Sequence, residues 1–182
     1  MQFYEVIEKR VSIRKFKNSE VCKEKLGRMI EAAMRAPSWK NQTSYRFILV
    51  DECNLKDKLA EAIENSGNEA ANSLKEAPMA AILVADPSAS GKVDDKSIYL
   101  IDGAIAMEHF ILAATAEGYG TCWIAAIDEN TVKNVLNIPD QYKVVAMTPI
   151  GEIAEEEKHE EKKPMADFVF LNSFDKPYTN SK

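Results

Sequence analysis

The chain opens with apolar residues at Phe3, Val6 and Ile7, a spacing of i, i+3, i+4 that predicts a helix over residues 3–10. Carried on, the same spacing places Arg10 on the apolar face, where a charge needs a partner. Leu26, Met29, Ile30 and Ala33 predict a second helix over 22–35, which Pro37 helps to stop. YRFILV (45–50) reads as a strand, and a third helix follows over 55–64, with room to run on toward Pro78. MAAILVAD (79–86) is a short apolar run typical of a buried strand, and 87–96 is a polar loop. Residues 98–117 are apolar nearly all round, so this helix must be covered on every side. Asp102, Glu108 and His109 interrupt it, which favours a buried helix over a membrane span. In a chain this small, a second subunit is a candidate cover.

Gly118-Tyr119-Gly120 reads as the cap of that helix and TCWIAAI (121–127) as the next strand. Asp128 is placed to N-cap a short helix, and YKVVAMTPIG (142–151) supplies a fourth strand. EIAEEEKHEEKK (152–163) has no apolar period and predicts a solvated linker. DFVFL (167–171) is apolar on both sides and predicts a strand that docks elsewhere, for example on another subunit's sheet. Helices and strands mix without strict βαβ alternation, so the expected class is α+β. The expected organisation is one domain over 1–163 with a C-terminal arm over 164–182.

Composition sharpens this picture. A net charge of −6 argues against a general nucleic-acid surface, yet Lys9, Arg10, Arg14, Lys15 and Lys17 crowd one short segment. A single basic cluster suits a small anion better than a polymer. The three cysteines lack CxxC spacing and, with two histidines, build no usual zinc set; reduced thiols in a cytoplasmic protein are expected. The N-terminal residues lack the layout of a signal peptide.

Extended through RVSIR, the chain would turn Arg10, Ser12 and Arg14 to one side and Val11 and Ile13 to the other. Two guanidinium forks and a hydroxyl match a phosphate; the alternative is that both arginines pair with the chain's own carboxylates. In APSWKNQTS (36–44), Ser38 and Asn41 could bond a polar heterocycle or simply build a turn. Trp123 could pack on a planar ligand or fill the core, and core is the default. No protein acid, base or nucleophile stands out.

These segments together resemble the FMN-dependent nitroreductase family. RVSIRKF resembles its Arg-x-Ser-x-Arg motif, and APSWKNQTSYRFILV its Pro-Ser-x-x-Asn segment leading into a strand. IDGAIAMEHFILAATAEGYGTCWIAAI resembles its central helix with Gly-x-Gly-x-Cys-Trp-Ile, and VVAMTPIGEIAEEE with KKPMADFV its Pro-Ile-Gly segment and late basic pair. The resemblance covers nearly the whole chain in order. It implies an intertwined homodimer with an exchanged C-terminal arm and two interfacial FMN sites. It implies phosphate and ribityl contacts from Arg10, Ser12, Arg14 and Lys162, and flavin contacts from the partner's copy of Pro37, Ser38 and Asn41. Trp123, Ile124, Pro149, Ile150 and Gly151 match segments lining the cofactor, partly through backbone groups.

The implied activity is ping-pong hydride transfer from NADH or NADPH to the flavin and on to a nitroaromatic, quinone or similar small acceptor. A flavin-binding sensor or store is the rival reading, and a colourless structural dimer a second. Thr43-Ser44-Tyr45, Ala125 and Ile153 depart from the family pattern, and the 87–96 loop is short, so these positions bear on substrate range.

Overall fold

In the computed structural model, which describes residues 1–65 and 67–178, six of the predicted elements stand where the hydrophobic pattern puts them. They are the helices α1 (Phe3–Lys9) and α2 (Lys23–Met34), the strands β1 (Tyr45–Val50) and β2 (Met79–Ala85), the long helix 98–116 and the strand 143–152. Between β1 and β2 the expected single helix is two: α3 (Cys53–Glu61) and α4 (Glu69–Glu76). The 87–96 loop contains a tiny hairpin, β3 (Lys92–Val93) with β4 (Lys96–Ser97), which feeds α5 (Ile98–Ala116). Then come β5 (Tyr119–Thr121), α6 (Glu129–Leu136), β6 (Lys143–Glu152) and a one-turn helix α7 (Met165–Phe168).

The main sheet has the order β1-β2-β6-β5, with every pair antiparallel. β2 lies inside the sheet, and its side chains alternate between two cores. Ala81, Leu83 and Ala85 face α2 and α5, with Met29, Met107 and Phe110; Ala80, Ile82 and Val84 face Leu59, Leu74 and Val132 of α3, α4 and α6. This is a helix-covered antiparallel sheet, the α+β class expected. Fully burying one large apolar side chain such as Phe110 or Leu74 is worth roughly 1.5–3 kcal/mol, and both are 0% exposed. Phe110 stacks on Phe47 at 5.2 Å between ring centroids. α5 is the one helix among the described residues long and apolar enough to cross a bilayer, but it packs between α2 and the sheet as a core element.

β1 forms an edge of the sheet. Ser44 O accepts the Asp86 N–H (2.9 Å), so alternation turns the Tyr45 carbonyl outward. There the Arg46 guanidinium folds back and donates to the carbonyls of Tyr45 (2.7 Å) and Thr43 (2.8 Å).

Three expectations are corrected. Strand β5 is 119–121, not 121–127: Gly118 ends α5 in the left-handed region (φ +85°), and the chain enters the sheet at once. After Thr121 the run leaves the ladder, and its backbone pairs with β6 again where Ile124 bridges Met147. β6 extends through Glu152, and Ile153 bridges Phe16, so the irregular stretch begins later than predicted. The tail predicted as a strand over 167–171 instead makes a helical turn, closed by Val169 N–H to Met165 O (2.9 Å), before Phe170 bridges Pro177.

Candidate functional site

The basic segment is shaped by its attachment to β5. Arg10 is the C-cap of α1, its N–H donating to Val6 O (3.0 Å) while ψ 112° opens the chain. Ser12 bridges Thr121 in parallel, and Ile13 N–H donates to Thr121 O (2.8 Å). Ile13 is buried against Gly120, where an added Cβ would lie 2.7 Å from the Ile13 Cβ; only a residue without a side chain allows this approach. The helix thus ends before Arg10 could enter the apolar core.

With Ile13 turned inward, Arg10, Ser12 and Arg14 border one cavity of about 320 Å³, joined by Lys162 from the irregular segment. Glu157, Lys158, His159 and Glu160 complete much of its wall, so four cations face two carboxylates. In a chain of net charge −6 this is a concentrated positive site. Arg14 also meets carboxylates of its own chain: Nε lies 3.5 Å from Glu69 and Nη1 3.9 Å from Glu157. Both are long, partly exposed pairs of the kind that contributes little. Among the described residues, no ion pair to Arg10 or Lys162 is formed.

Cys122 lies beside this cluster. Burial pushes its thiol up, and Arg14, a hydrogen bond with Ser12 and Arg10 offset only part of that. Its backbone N–H, released from the ladder, donates to Thr148 Oγ1 (3.1 Å), which in turn donates to Pro149 O (3.0 Å). Lys158, His159 and Cys122 were not among the predicted site residues. Lys158 and His159 had only a charged linker as a signal, and Cys122 only its place in the Gly-x-Gly-x-Cys-Trp-Ile segment.

The remaining predicted residues lie outside the basic cavity. Pro37 and Asn41 are exposed and Ser38 half-buried, in a short 3-10 turn over Trp39–Asn41. Ser38 Oγ accepts the Thr43 N–H (2.9 Å), the turn-building alternative. Trp123 is 39% exposed, so the default reading of it as core is wrong. Ile124 and Ile150 are buried in opposite cores, Pro149 is buried within β6, and Gly151 packs against Pro78 and Phe16. Any contact from Ile124 or Ile150 to a ligand therefore goes through backbone.

A larger cavity, about 800 Å³, lies between Asn18–Leu26, the start of α3 and the α4–β2 junction. Lys23, Lys56 and Lys75 there are balanced by Glu20, Asp51 and Glu76, and none of the predicted residues lines it. Size alone favours this cavity; charge favours the smaller one for an anion, and charge decides for a phosphate.

The fold and the smaller cavity define a helix-covered antiparallel α+β protein with a net positive cavity at its basic segment. The profile of the nitroreductase family matches residues 7–152. A nitroreductase family protein of Clostridium novyi NT, known from its crystal structure, is 48% identical, with 99% of both chains covered and a TM-score of 0.83. An FMN-dependent nitroreductase of Clostridium difficile R20291 is 30% identical over 93% of this chain and 98% of its own, with a TM-score of 0.80. A protein of Methanothermobacter thermautotrophicus bearing the inferred name NADH dehydrogenase/NAD(P)H nitroreductase is 28% identical, covering 85% of this chain and 79% of its own. This chain belongs to the nitroreductase family.

Proposed function

We propose that this protein is an FMN-dependent oxidoreductase that takes hydride from NADH or NADPH and passes it to a small acceptor such as a nitroaromatic or quinone. The observation that carries the reading is the cavity where Arg10, Ser12, Arg14 and Lys162 converge on a net positive site. That donor set fits a phosphate: the guanidinium groups supply paired donors, Ser12 a short one, and Lys162 a point charge. The relatives' names, one FMN-dependent and one an NAD(P)H nitroreductase, support the same cofactor and donor.

When bound, FMN supplies the redox chemistry, accepting hydride from one substrate and giving it to the next. The chain's residues bind and orient it. Arg10, Ser12, Arg14 and Lys162 would hold the phosphate, while Pro37, Ser38 and Asn41 of a second copy would reach the ring. Trp123 and the backbone around Ile124 and Pro149–Gly151 would complete the wall.

The reading includes a homodimer in which residues 164–182 dock on the partner. Exposed apolar side chains support it: Phe3, Tyr4, Leu100, Ile101, Phe168 and Phe174 are each 45–85% exposed in the single chain. The free thiols Cys22, Cys53 and Cys122 suit a reducing, cytoplasmic setting.

The test is spectroscopic. Purified protein should carry a flavin band near ~450 nm that bleaches when NADH or NADPH is added without oxygen. A yellow protein that neither nucleotide bleaches would be a flavin sensor or store. Arg14's proximity to Glu69 and Glu157 favours a second reading, in which the arginines serve only the chain's own carboxylates. Protein that purifies colourless and takes up no added FMN would establish it.

A further inference from the structure

Asp102, in the second turn of α5, is 3% exposed. A carboxylate removed from water this far must be hydrogen-bonded. Its bonds come from two separate segments: Oδ1 accepts the Trp39 N–H (2.9 Å), and Oδ2 accepts the Ser90 hydroxyl (3.0 Å). One buried group therefore ties the turn after α2 to the approach to the β3–β4 hairpin.

The turn needs such a tie. Lys40, Asn41 and Thr43 have φ of 48°, 56° and 48°. Three non-glycine residues in the left-handed region within four positions is an unfavourable path, which persists only where surrounding contacts hold it. Inside the turn, Ser38 Oγ holds the Thr43 N–H. From outside, Asp102 holds its first residue, and the Trp39 indole lies against Gly91, where a Cβ would come within 2.4 Å of Cε2. Ser90 and Gly91 thus grip the turn twice, once through Asp102 and once through the indole.

We propose that Asp102 is a positioning residue for the ring side of the cofactor site: it fixes the strained turn so that Ser38 and Asn41 present their polar groups in one geometry. This rests on the reading of those two residues as flavin-ring contacts. It separates two halves of the site. Arg14 acts on the phosphate, whereas Asp102, through the turn, acts on the ring alone.

The experiment titrates full-length apo-protein with FMN and with riboflavin, which has the same ring and no phosphate, following the visible flavin band. Asp102→Ala should weaken both ligands by the same factor, about tenfold or more, and move the bound band toward that of free flavin. Asp102→Asn, whose amide can still accept from Trp39 and bond Ser90, should stay within about threefold of wild type. Gly91→Ala displaces the indole while keeping the buried carboxylate, and carries the test if Asp102→Ala does not fold; it should again weaken both ligands equally. Unchanged binding of both flavins by the folded Ala variant, or a loss confined to FMN, would overturn the proposal. Wild-type protein that binds neither flavin would instead remove the parent reading and this one with it.

Discussion

At the scale of single residues, Arg14 is the side chain whose role is most open to measurement. Its long contacts to Glu69 and Glu157 leave its donors available to a better-placed anion. On the proposed function, Arg14→Ala should cost FMN binding about 1.5–3 kcal/mol, the range for a hydrogen bond to a charged group, with melting little changed; fluorescence titration of the apo-protein reads this directly. Cys122 makes a second prediction. Its thiol is pushed above its ordinary value of 9.0 chiefly by burial. A group raised in this way stabilises the fold below its ordinary value and loses that contribution as pH rises through the raised one. Tyr45, raised by burial and by Asp102 from 10.0, acts with the same sign. Thermal stability should therefore fall on the alkaline side of about pH 9, and Cys122→Ala should flatten that fall. Equal alkaline slopes for the two proteins would exclude the thiol as a cause. The arginine pair was legible because alternation is local: with Ile13 turned in, Ser12 and Arg14 turn out. Lys162 was not legible from spacing, since 147 residues lie between it and Arg14 and only the fold brings them to one cavity. Trp123 was misread because an apolar run looks the same whether it stays in a sheet or departs from one. Asp102 looked like a blemish in a helix, because its partners lie in loops whose positions no periodicity records.

At the scale of elements, α5 carries the core on one face of the sheet, and Phe110 is its centre. Phe110→Ala should lower unfolding free energy by about 3–5 kcal/mol, measured by denaturant titration; a loss under about 1 kcal/mol would mean the site collapses to fill the gap. The elements with a clean period or a long unbroken apolar run, α2, α5, β1, β2 and β6, were readable from the pattern. The misreadings were short. β5 is three residues, one of them glycine, so its sequence looks like a helix cap and only pairing with β6 makes it a strand. The tail segment has no sheet partner among the described residues, and without one Met165–Phe168 closes its bonds locally as a helical turn. The 55–77 region divides because the polar stretch between Ile63 and Glu69 supplies no apolar face to bury.

At the scale of the whole molecule, the apolar side chains left outside α1, α5 and the tail are the strongest physical reason to expect association. If the proposed homodimer forms, removing residues 164–182 should weaken it, seen by sedimentation velocity as a shift toward monomer on dilution; a truncated chain that stays dimeric with unchanged melting would mean the arm does not cross. The two guanidinium bonds at the start of β1 carry a further consequence, one of solubility. Antiparallel edges invite further strands, and a charge held against the outward carbonyls is a guard against that. Arg46 occupies the Thr43 and Tyr45 carbonyls, so only the later part of YRFILV presents open backbone. Arg46→Val should leave the melting temperature nearly unchanged and yet raise the rate of light scattering during refolding at high protein concentration. Scattering no faster than wild type would show that another feature protects the edge. On that view an exposed side chain bonded to the backbone just before it keeps separate molecules apart.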